Sequence, residues 1–325
     1  MASLLGRLIR RPQKYLRRDF WVPTLAEFRY RGRAGLVFAA PAIVRRRILR
    51  ERPFRAYVFP SALDTFQLAE TYVAWKVLWH CNVEIHTSGA NDADFALAWH
   101  PATRYTPDER ALTSLESRMS VINGRCTDIR KSVVDAVFAD VFGYSLEVNP
   151  RTHRGTLLCK SERNGAHDAR LLEGPLESIE PDCVYQRVVS YETLYGYAEW
   201  RTFIVGRKPV AVYTCYRPLD DRFALLPSLS ILTTLAETFT QREQELIAAF
   251  CDRMHLDFGA LDILRDAQDG RLYISDCNNT PTGPSTTSLS IPAQVHVVAE
   301  IAKAFEREYL TPIRTKQDAA QPVSS

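Results

Sequence analysis

The seven cysteines, at 81, 126, 159, 183, 215, 251 and 277, form no CxxC pair and no regular framework. That spacing excludes a disulfide scaffold and a structural zinc site, and it fits a reducing compartment. The seven histidines (80, 86, 100, 153, 167, 255 and 296) show no paired metal-ligand spacing either. No apolar run reaches the roughly eighteen residues that a membrane-spanning helix needs, and Ala34 to Val44 is short and broken by Pro41. The N-terminal residues do not read as a long apolar core followed by a small-residue cleavage site. The expectation is therefore a soluble, cytoplasmic protein. There is no G-x-S-x-G elbow to nominate a hydrolase, no P-loop or Rossmann glycine fingerprint, and no solenoid-length repeat.

What the chain has is enough apolar residue, 46% of 325, to bury one large core or two to three small ones. Its net charge of +3 hides a split. Residues 1–50 hold thirteen Arg or Lys against Asp19 and Glu27, a balance of +11, so the remainder carries −8. This reads as a basic extension, residues 1–52, joined to a mildly acidic body. The extension either packs on the body or offers a surface to a peripheral membrane or an acidic partner. Nucleic acid is not expected, because no recognised binding motif accompanies the arginines.

From Phe54 the apolar pattern predicts strand, helix, strand, strand: FRAYVFP, LDTFQLAETYVAWKVLWHC, VEIHTS and DFALAWH. That order is typical of a small α/β lobe, placed at residues 53–120. A polar stretch, TRYTPDERALTSLESR, separates it from a helix with apolar positions at Val133, Val134, Val137, Phe138, Val141 and Phe142 that ends at Gly143. Strand-like runs follow: GTLLCKS, DCVYQRVVS, EWRTFIVG and PVAVYTCY. Next come a helix from about Gln241 to Met254, then FGALDILRD and RLYISDC with a turn at Asp269-Gly270. A last helix, Ala293 to Tyr309, precedes a tail at 312–325 expected to be disordered. The fold class predicted is α/β followed by α+β.

The stretch ISDCNNTPTG raises the chemical question, because Asp276, Asn278 and Asn279 crowd the end of a strand. On adjacent antiparallel strands Asp262 and Asp276 share a face, and Asn278, two residues on, shares it too. Such hard oxygen ligands suit Mg²⁺ bridging phosphates, although aspartates also flank hairpins for solubility alone. Lys160 lies inside an apolar strand, where it either reaches an anion or faces water from an edge. Lys131 starts a helix, a position less favourable to a cation than to an anion; it either contacts an anion or is solvated. After Lys160, SERNGAHDA is a polar loop with one glycine, a phosphate-approach loop or a plain turn.

Taken in order, INGRCTDIRKS, TLLCKSERNGAHDA, VYQRVVS, EWRTFIVGRKPVAVY and GALDILRDAQDGRLYISDCNNTPTG resemble the ATP-grasp superfamily over residues 121–285. The resemblance implies an ATP-grasp domain at 121–311 with the small lobe as its pre-ATP-grasp domain. It implies that Lys131 and Lys160 contact ATP phosphates, that the backbone of Gln186, Arg187, Val188 and Val189 meets adenine, and that Glu192 meets the ribose. It also implies that Asp262, Asp276 and Asn278 hold Mg²⁺ or Mn²⁺, and that Arg201 and Arg217 face the transferred phosphoryl group or the acceptor. Arg201 alternatively braces the sheet against Glu199 or Asp262. The chain departs from the family pattern at Arg187, where many members have an acid, and at Asp276, where most of the ligases have Glu.

The activity implied is ligation. ATP phosphorylates a small-molecule or peptide carboxylate, and an amine or thiol then displaces phosphate from the acyl phosphate. The D-x-N motif also resembles the inositol polyphosphate kinases of the same fold, which leaves phosphoryl transfer to a hydroxyl as an alternative. A nucleotide-binding scaffold without turnover is the third reading.

Overall fold

The computed structural model describes residues 40–41, 44–45, 49, 51–59, 72–87, 90–284 and 288–320. The basic extension, and with it the expected membrane or partner contact, falls almost wholly outside them. Two compact units are present, one made of residues 1–99 with 281–325 and the other of residues 100–280. The expected boundaries at 52/53, 120/121 and 311/312 differ from this division.

In the first unit β1 (Phe54–Phe59) is followed by α1 (Val73–His80), β2 (Val83–His86) and β3 (Phe95–Ala98). Strand β1 pairs in parallel with both others, Phe54 opposite Val83 and Ala56 opposite Phe95. Parallel strands covered on both faces read as continuous apolar runs, and all four residues of β3 are buried.

The second unit opens with α2 (Glu109–Glu116), which the sequence reading takes as a polar stretch. Its apolar side is narrow. Leu112 and Leu115 alone are buried, and Asp108 caps the helix by accepting from the Arg110 and Ala111 N–H groups. After β4 (Val121–Ile122) comes α3 (Lys131–Phe142), ended by Gly143 in the left-handed conformation at φ 82° that glycine adopts without strain. Strands β5 (Gly155–Ser161), β6 (Arg170–Gly174) and β7 (Cys183–Arg187) form an antiparallel sheet in the order β6-β5-β7.

A six-stranded sheet completes this unit. It contains β8 (Glu192–Thr193), β9 (Gly196–Val205), β10 (Lys208–Arg217), β11 (Leu229–Thr233), β12 (Phe258–Arg265) and β13 (Leu272–Asn278). Its order is β11-β10-β9-β12-β13, with β8 paired to the start of β9. Helices α4 (Leu235–Thr238) and α5 (Gln241–Arg253) lie between β11 and β12 in the chain, each opened by a Thr-x-x-Glu capping box. Val134 and Phe138 of α3 and Ile247, Phe250 and Cys251 of α5 are buried with Ile204, Val212, Leu261 and Ile263 of the sheet. One sheet face is thus committed to the core.

The chain returns to the first unit with α6 (Ile291–Phe305), a π-helical turn at Glu306–Leu310 and α7 (Thr311–Ala320). Phe305 meets Phe95 edge-on at 5.8 Å between ring centroids. Helix α7 corrects the expectation of a disordered tail at 312–320. Pro312 follows the π-helical turn directly, within helical structure that runs unbroken from Ile291 to Ala320. The helix is tied down by Gln317 Nε2 donating to Asp94 Oδ1 at 2.8 Å and by the Arg314 guanidinium 5.3 Å from the Phe54 ring centre.

Candidate nucleotide and metal site

The register of the six-stranded sheet assembles the site. Asp262 lies directly opposite Asp276 on one side and opposite Arg201 on the other. Directly opposed residues project to the same face. Asn278, two residues past Asp276, is on that face as well, and so are Glu199 and Arg217 through the pairs Glu199–Cys215 and Arg217–Tyr197. Glu192 joins the row by pairing with Tyr197. One face therefore carries acids, arginines and an amide, while the residues between them point into the core.

A close backbone approach fixes the end of this row. A side chain at Gly259 would bring a Cβ within 2.5 Å of the Asn278 carbonyl oxygen, so glycine is required for β12 to pass β13 there. Asn123, at φ 59°, locks the same corner. Its Oδ1 accepts from the Asp257 and Phe258 N–H groups at 3.0 and 2.9 Å, and its Nδ2 donates to the carbonyls of Phe258 at 2.6 Å and Asn279 at 3.2 Å.

Electrostatics separate the two aspartates. Arg201 Nη1 donates to Asp262 Oδ1 at 2.5 Å, with both side chains only 15% exposed. Burial opposes the Arg201 charge, but Asp262, Tyr213 and Glu199 together outweigh it and the guanidinium is held firmly protonated. Among the described residues no arginine or lysine pairs directly with Asp276, and burial, reinforced by Asp262, raises its carboxyl above the ordinary range against the opposing pull of Lys131 and Lys160. Glu199 is raised too, by burial, although Arg217 Nη1 stands 3.0 Å from its Oε2. Arg217 also donates from Nε to the Ala224 carbonyl at 3.1 Å.

Lys160 lies on β5, the central strand of its sheet, which excludes the solvent-facing edge position. Its Nζ donates to the Ser275 carbonyl at 3.1 Å, next to Asp276. Burial lowers its pKa from 10.5 to about 8, against the pull of Asp276 and with Lys131 adding to the fall. Lys131 is the first residue of α3 and buried, and its Nζ donates to the Arg163 carbonyl at 3.0 Å. The helix N-terminus beside it is served by Glu162, whose Oε2 accepts from the Ser132 N–H at 3.1 Å. The glycine-containing loop touches the same row directly, Asn164 Nδ2 donating to Asn278 Oδ1 at 3.3 Å.

The segment 186–189 is more fully bonded than a free adenine edge. Gln186 is buried opposite Leu158, and the Arg187 N–H donates to the Leu146 carbonyl at 2.8 Å. Arg187 Nη1 donates to the Tyr273 hydroxyl at 2.8 Å, so its side chain braces β13 where the family pattern has an acid. The Val189 carbonyl accepts from Arg222 Nη2 at 3.2 Å, and that guanidinium lies 5.0 Å from the ring centres of both Tyr191 and Tyr197. Val188 lies half-buried between them, and Glu192 is exposed.

Sequence reasoning missed Arg222 as a site neighbour; it named Glu199 only as a brace for Arg201, and it took Asn164 only as part of a loop whose backbone approaches phosphate, not as a side chain that meets Asn278. Glu199 carries a signal, because it stands two residues before Arg201 in a strand. Asn164 and Arg222 carry none, since their loops bring them to the site without periodicity.

The donor set fits a divalent cation with a polyphosphate. Two partly buried carboxylates and an amide oxygen on one row are hard oxygen ligands, and the desolvated Lys160, whose ammonium donates to the Ser275 carbonyl, has further donors to offer an anion. Among the described residues no group of three or more His, Cys, Asp or Glu is placed to hold a metal ion, so the candidate donor set is two carboxylates and an amide.

No family model matches the chain, and no curated protein matches it. Among solved structures it is similar to the ATP-grasp ligase PsnB complexed with minimal precursor. The identity there is 12% and the TM-score 0.49, over 79% of this chain and 99% of that one. It is similar to the D-alanine–D-alanine ligase of Bacillus anthracis complexed with ATP, with 14% identity and a TM-score of 0.46 over 83% and 100% of the two chains. It is also similar to the D-cycloserine synthetase DcsG, with 14% identity and a TM-score of 0.42 over 78% and 99%. With TM-scores below 0.5, these likenesses to ATP-grasp ligases stand as likenesses, and the functional reading rests on this chain's own side chains.

Proposed function

We propose that the chain is an ATP-grasp ligase that uses Mg-ATP to activate a carboxylate for attack by an amine or a thiol. The observation that carries this reading is the cross-strand row Arg201–Asp262–Asp276, continued by Asn278 and approached by Lys160 through its bond beside Asp276. Asp262, Asp276 and Asn278 would hold the cation, which would supply positive charge to offset that of the phosphates. Lys160 and Lys131 exchange their bonds to the Ser275 and Arg163 carbonyls for phosphate oxygens. Arg201, braced by Asp262, and Arg217, braced by Glu199, present fixed guanidinium groups toward the transferred phosphoryl group and the acceptor. Phosphorylation of the carboxylate releases ADP, and the nucleophile then displaces phosphate from the acyl phosphate.

Adenine is read at 186–189 and the ribose at Glu192. The substrate is a small molecule or a peptide; PsnB, one of the similar structures, is complexed with a precursor peptide. The short Asp276 arm favours a second reading, phosphoryl transfer to a hydroxyl. Calorimetric titration with ATP, with and without Mg²⁺, tests the site. Binding that needs Mg²⁺ and weakens in the Asp276→Ala, Asn278→Ala double variant is expected, and no binding at millimolar ATP refutes the reading. With an acceptor in hand, ¹⁸O placed in its carboxylate appears in released phosphate for a ligase and stays out of it for a kinase.

A further inference from the structure

The loop between β5 and β6 reaches the metal row through one side chain. Asn164 Nδ2 donates to Asn278 Oδ1 at 3.3 Å, while the backbone N–H of Asn164 donates to Thr103 Oγ1 at 2.8 Å. One residue earlier, the Arg163 carbonyl accepts from Lys131 Nζ. Left-handed Gly165 and His167, at φ 65° and 53°, turn the chain back, and Asp168 Oδ1 closes the neck by accepting from the Ser161 N–H at 3.2 Å. Asn164 is thus held from outside its loop, at the backbone by Thr103 and at the side chain by Asn278. A side-chain carbonyl oxygen has two lone pairs, so the bond from Asn164 leaves Asn278 Oδ1 one acceptor site for a cation.

Resting on the reading of Asn278 as a metal ligand, we propose that Asn164 is a positioning residue for the metal site, aiming the Asn278 carbonyl oxygen and coupling the phosphate-approach loop to metal occupancy. Asn164 itself touches neither the metal nor the reacting atoms. Partners that orient a metal ligand from behind control affinity for the metal strongly, and the coupling is reciprocal: the cation that fixes Asn278 Oδ1 also favours the loop position that bonds to it. The loop residue therefore matters to ATP chiefly when the cation is present.

The test is calorimetric ATP binding by the full chain, without Mg²⁺ and at saturating Mg²⁺, for the unmutated protein, Asn164→Ala, Asn164→Leu and Asn278→Ala. Leucine keeps the volume of asparagine without its donor. In both Asn164 variants the ATP affinity without Mg²⁺ stays unchanged, while the gain in affinity conferred by Mg²⁺ falls by about tenfold or more. The ligand-free melting midpoint stays in place. Equal weakening with and without Mg²⁺, or a lowered midpoint with binding lost in both conditions, assigns Asn164 a structural role and overturns the proposal. A full Mg²⁺ gain in both Asn164 variants, with loss in Asn278→Ala, overturns it as well. Absence of Mg²⁺-dependent ATP binding in the unmutated protein overturns the metal-site reading itself, a failure distinguishable because no variant is needed to see it.

Discussion

In the hairpin β12–β13 the backbone is taken up by the sheet, and the chemistry proposed falls to the side chains. In the segment 186–189 the backbone is expected to carry the chemistry, and part of it is already bonded, to Leu146 at one end and Arg222 at the other. A strand pair fixes side-chain direction by its period of two, so residues given the right spacing arrive at the site together. A hinge that must offer N–H and C=O groups has no such device, and its availability depends on whatever loop lies beside it. The hairpin should therefore respond to substitution in large, residue-specific steps and the hinge in small, diffuse ones.

The strongest way to break that contrast is to neutralise each hairpin acid in turn. Asp262→Asn and Asp276→Asn are both expected to lose at least roughly tenfold in Mg²⁺-dependent ATP affinity, the scale reached even by outer-sphere partners of a metal. Their stabilities diverge. Asp262→Asn leaves Arg201 buried without its carboxylate, costing about 2–4 kcal/mol, whereas Asp276→Asn removes a charge that burial disfavours and leaves stability equal or higher. The raised carboxyl of Asp276 means that its ionised form weakens the fold as pH rises from the ordinary carboxylate range into the raised one. That fall is absent from the Asn variant. Urea unfolding at several pH values reads all three differences, and equal destabilisation by the two substitutions contradicts them.

Lys160 links the sheet that bears the hinge to the hairpin, and it gives the next effect in size. Its pKa of about 8 lies below the 10.5 of the unfolded chain, so the protonated lysine opposes folding below pH 8. That cost disappears as pH rises from about 8 toward 10.5. Phosphate favours the ammonium form, so ATP binding takes up a proton in this same window. Affinity should drop above pH 8 by at most about tenfold per unit, and Lys160→Met should bind more weakly with this dependence gone. Calorimetry in two buffers of different ionisation enthalpy measures the proton directly.

For the hinge the corresponding change is Arg222→Ala, which frees the Val189 carbonyl and removes a guanidinium that lies over the rings of Tyr191 and Tyr197. Each ring contact of this kind is worth about 0.5–1 kcal/mol, so ATP affinity should fall about three- to fivefold with the Mg²⁺ gain untouched. A lost Mg²⁺ gain would place Arg222 with the hairpin instead.

How much of this the sequence discloses follows from the same contrast. Asp262, Asp276 and Asn278 were readable as one face because strand alternation converts spacing into direction, and the register pairs Asp262 with Asp276; Arg201 came only from the family resemblance, and its place opposite Asp262 is read from the register. The apolar spacing of α3 likewise gave its buried side. Helix α2 was not legible, since two buried leucines in eight residues leave no strong period. Strand β11 was missed because Leu229, Ile231 and Leu232 stay partly exposed at the sheet edge. The union of α6 and α7 with the first unit was invisible for another reason. Contacts such as Phe95 with Phe305 join residues more than two hundred positions apart, and nothing local marks them.

The smallest effect expected is at Glu192, and it sharpens the hinge side of the comparison most. Glu192 is exposed on the two-residue strand β8, and its stability contribution is accordingly slight, within about 0.5 kcal/mol for Glu192→Gln. The register nevertheless sets it on the row of Tyr197 and Arg217, at the end of the site face away from the metal hairpin. A carboxylate there accepts hydrogen bonds from ribose hydroxyls, and an amide keeps the shape while weakening a charge-assisted bond roughly twofold in strength. ATP affinity should fall about two- to threefold in Glu192→Gln, and the preference for ATP over 2′-deoxy-ATP should narrow by the same factor. Competition between the two nucleotides in both proteins separates ribose recognition from a general loss of binding. If the unmutated protein binds the two nucleotides equally, Glu192 does not read the 2′-hydroxyl, and the hinge contributes its backbone alone.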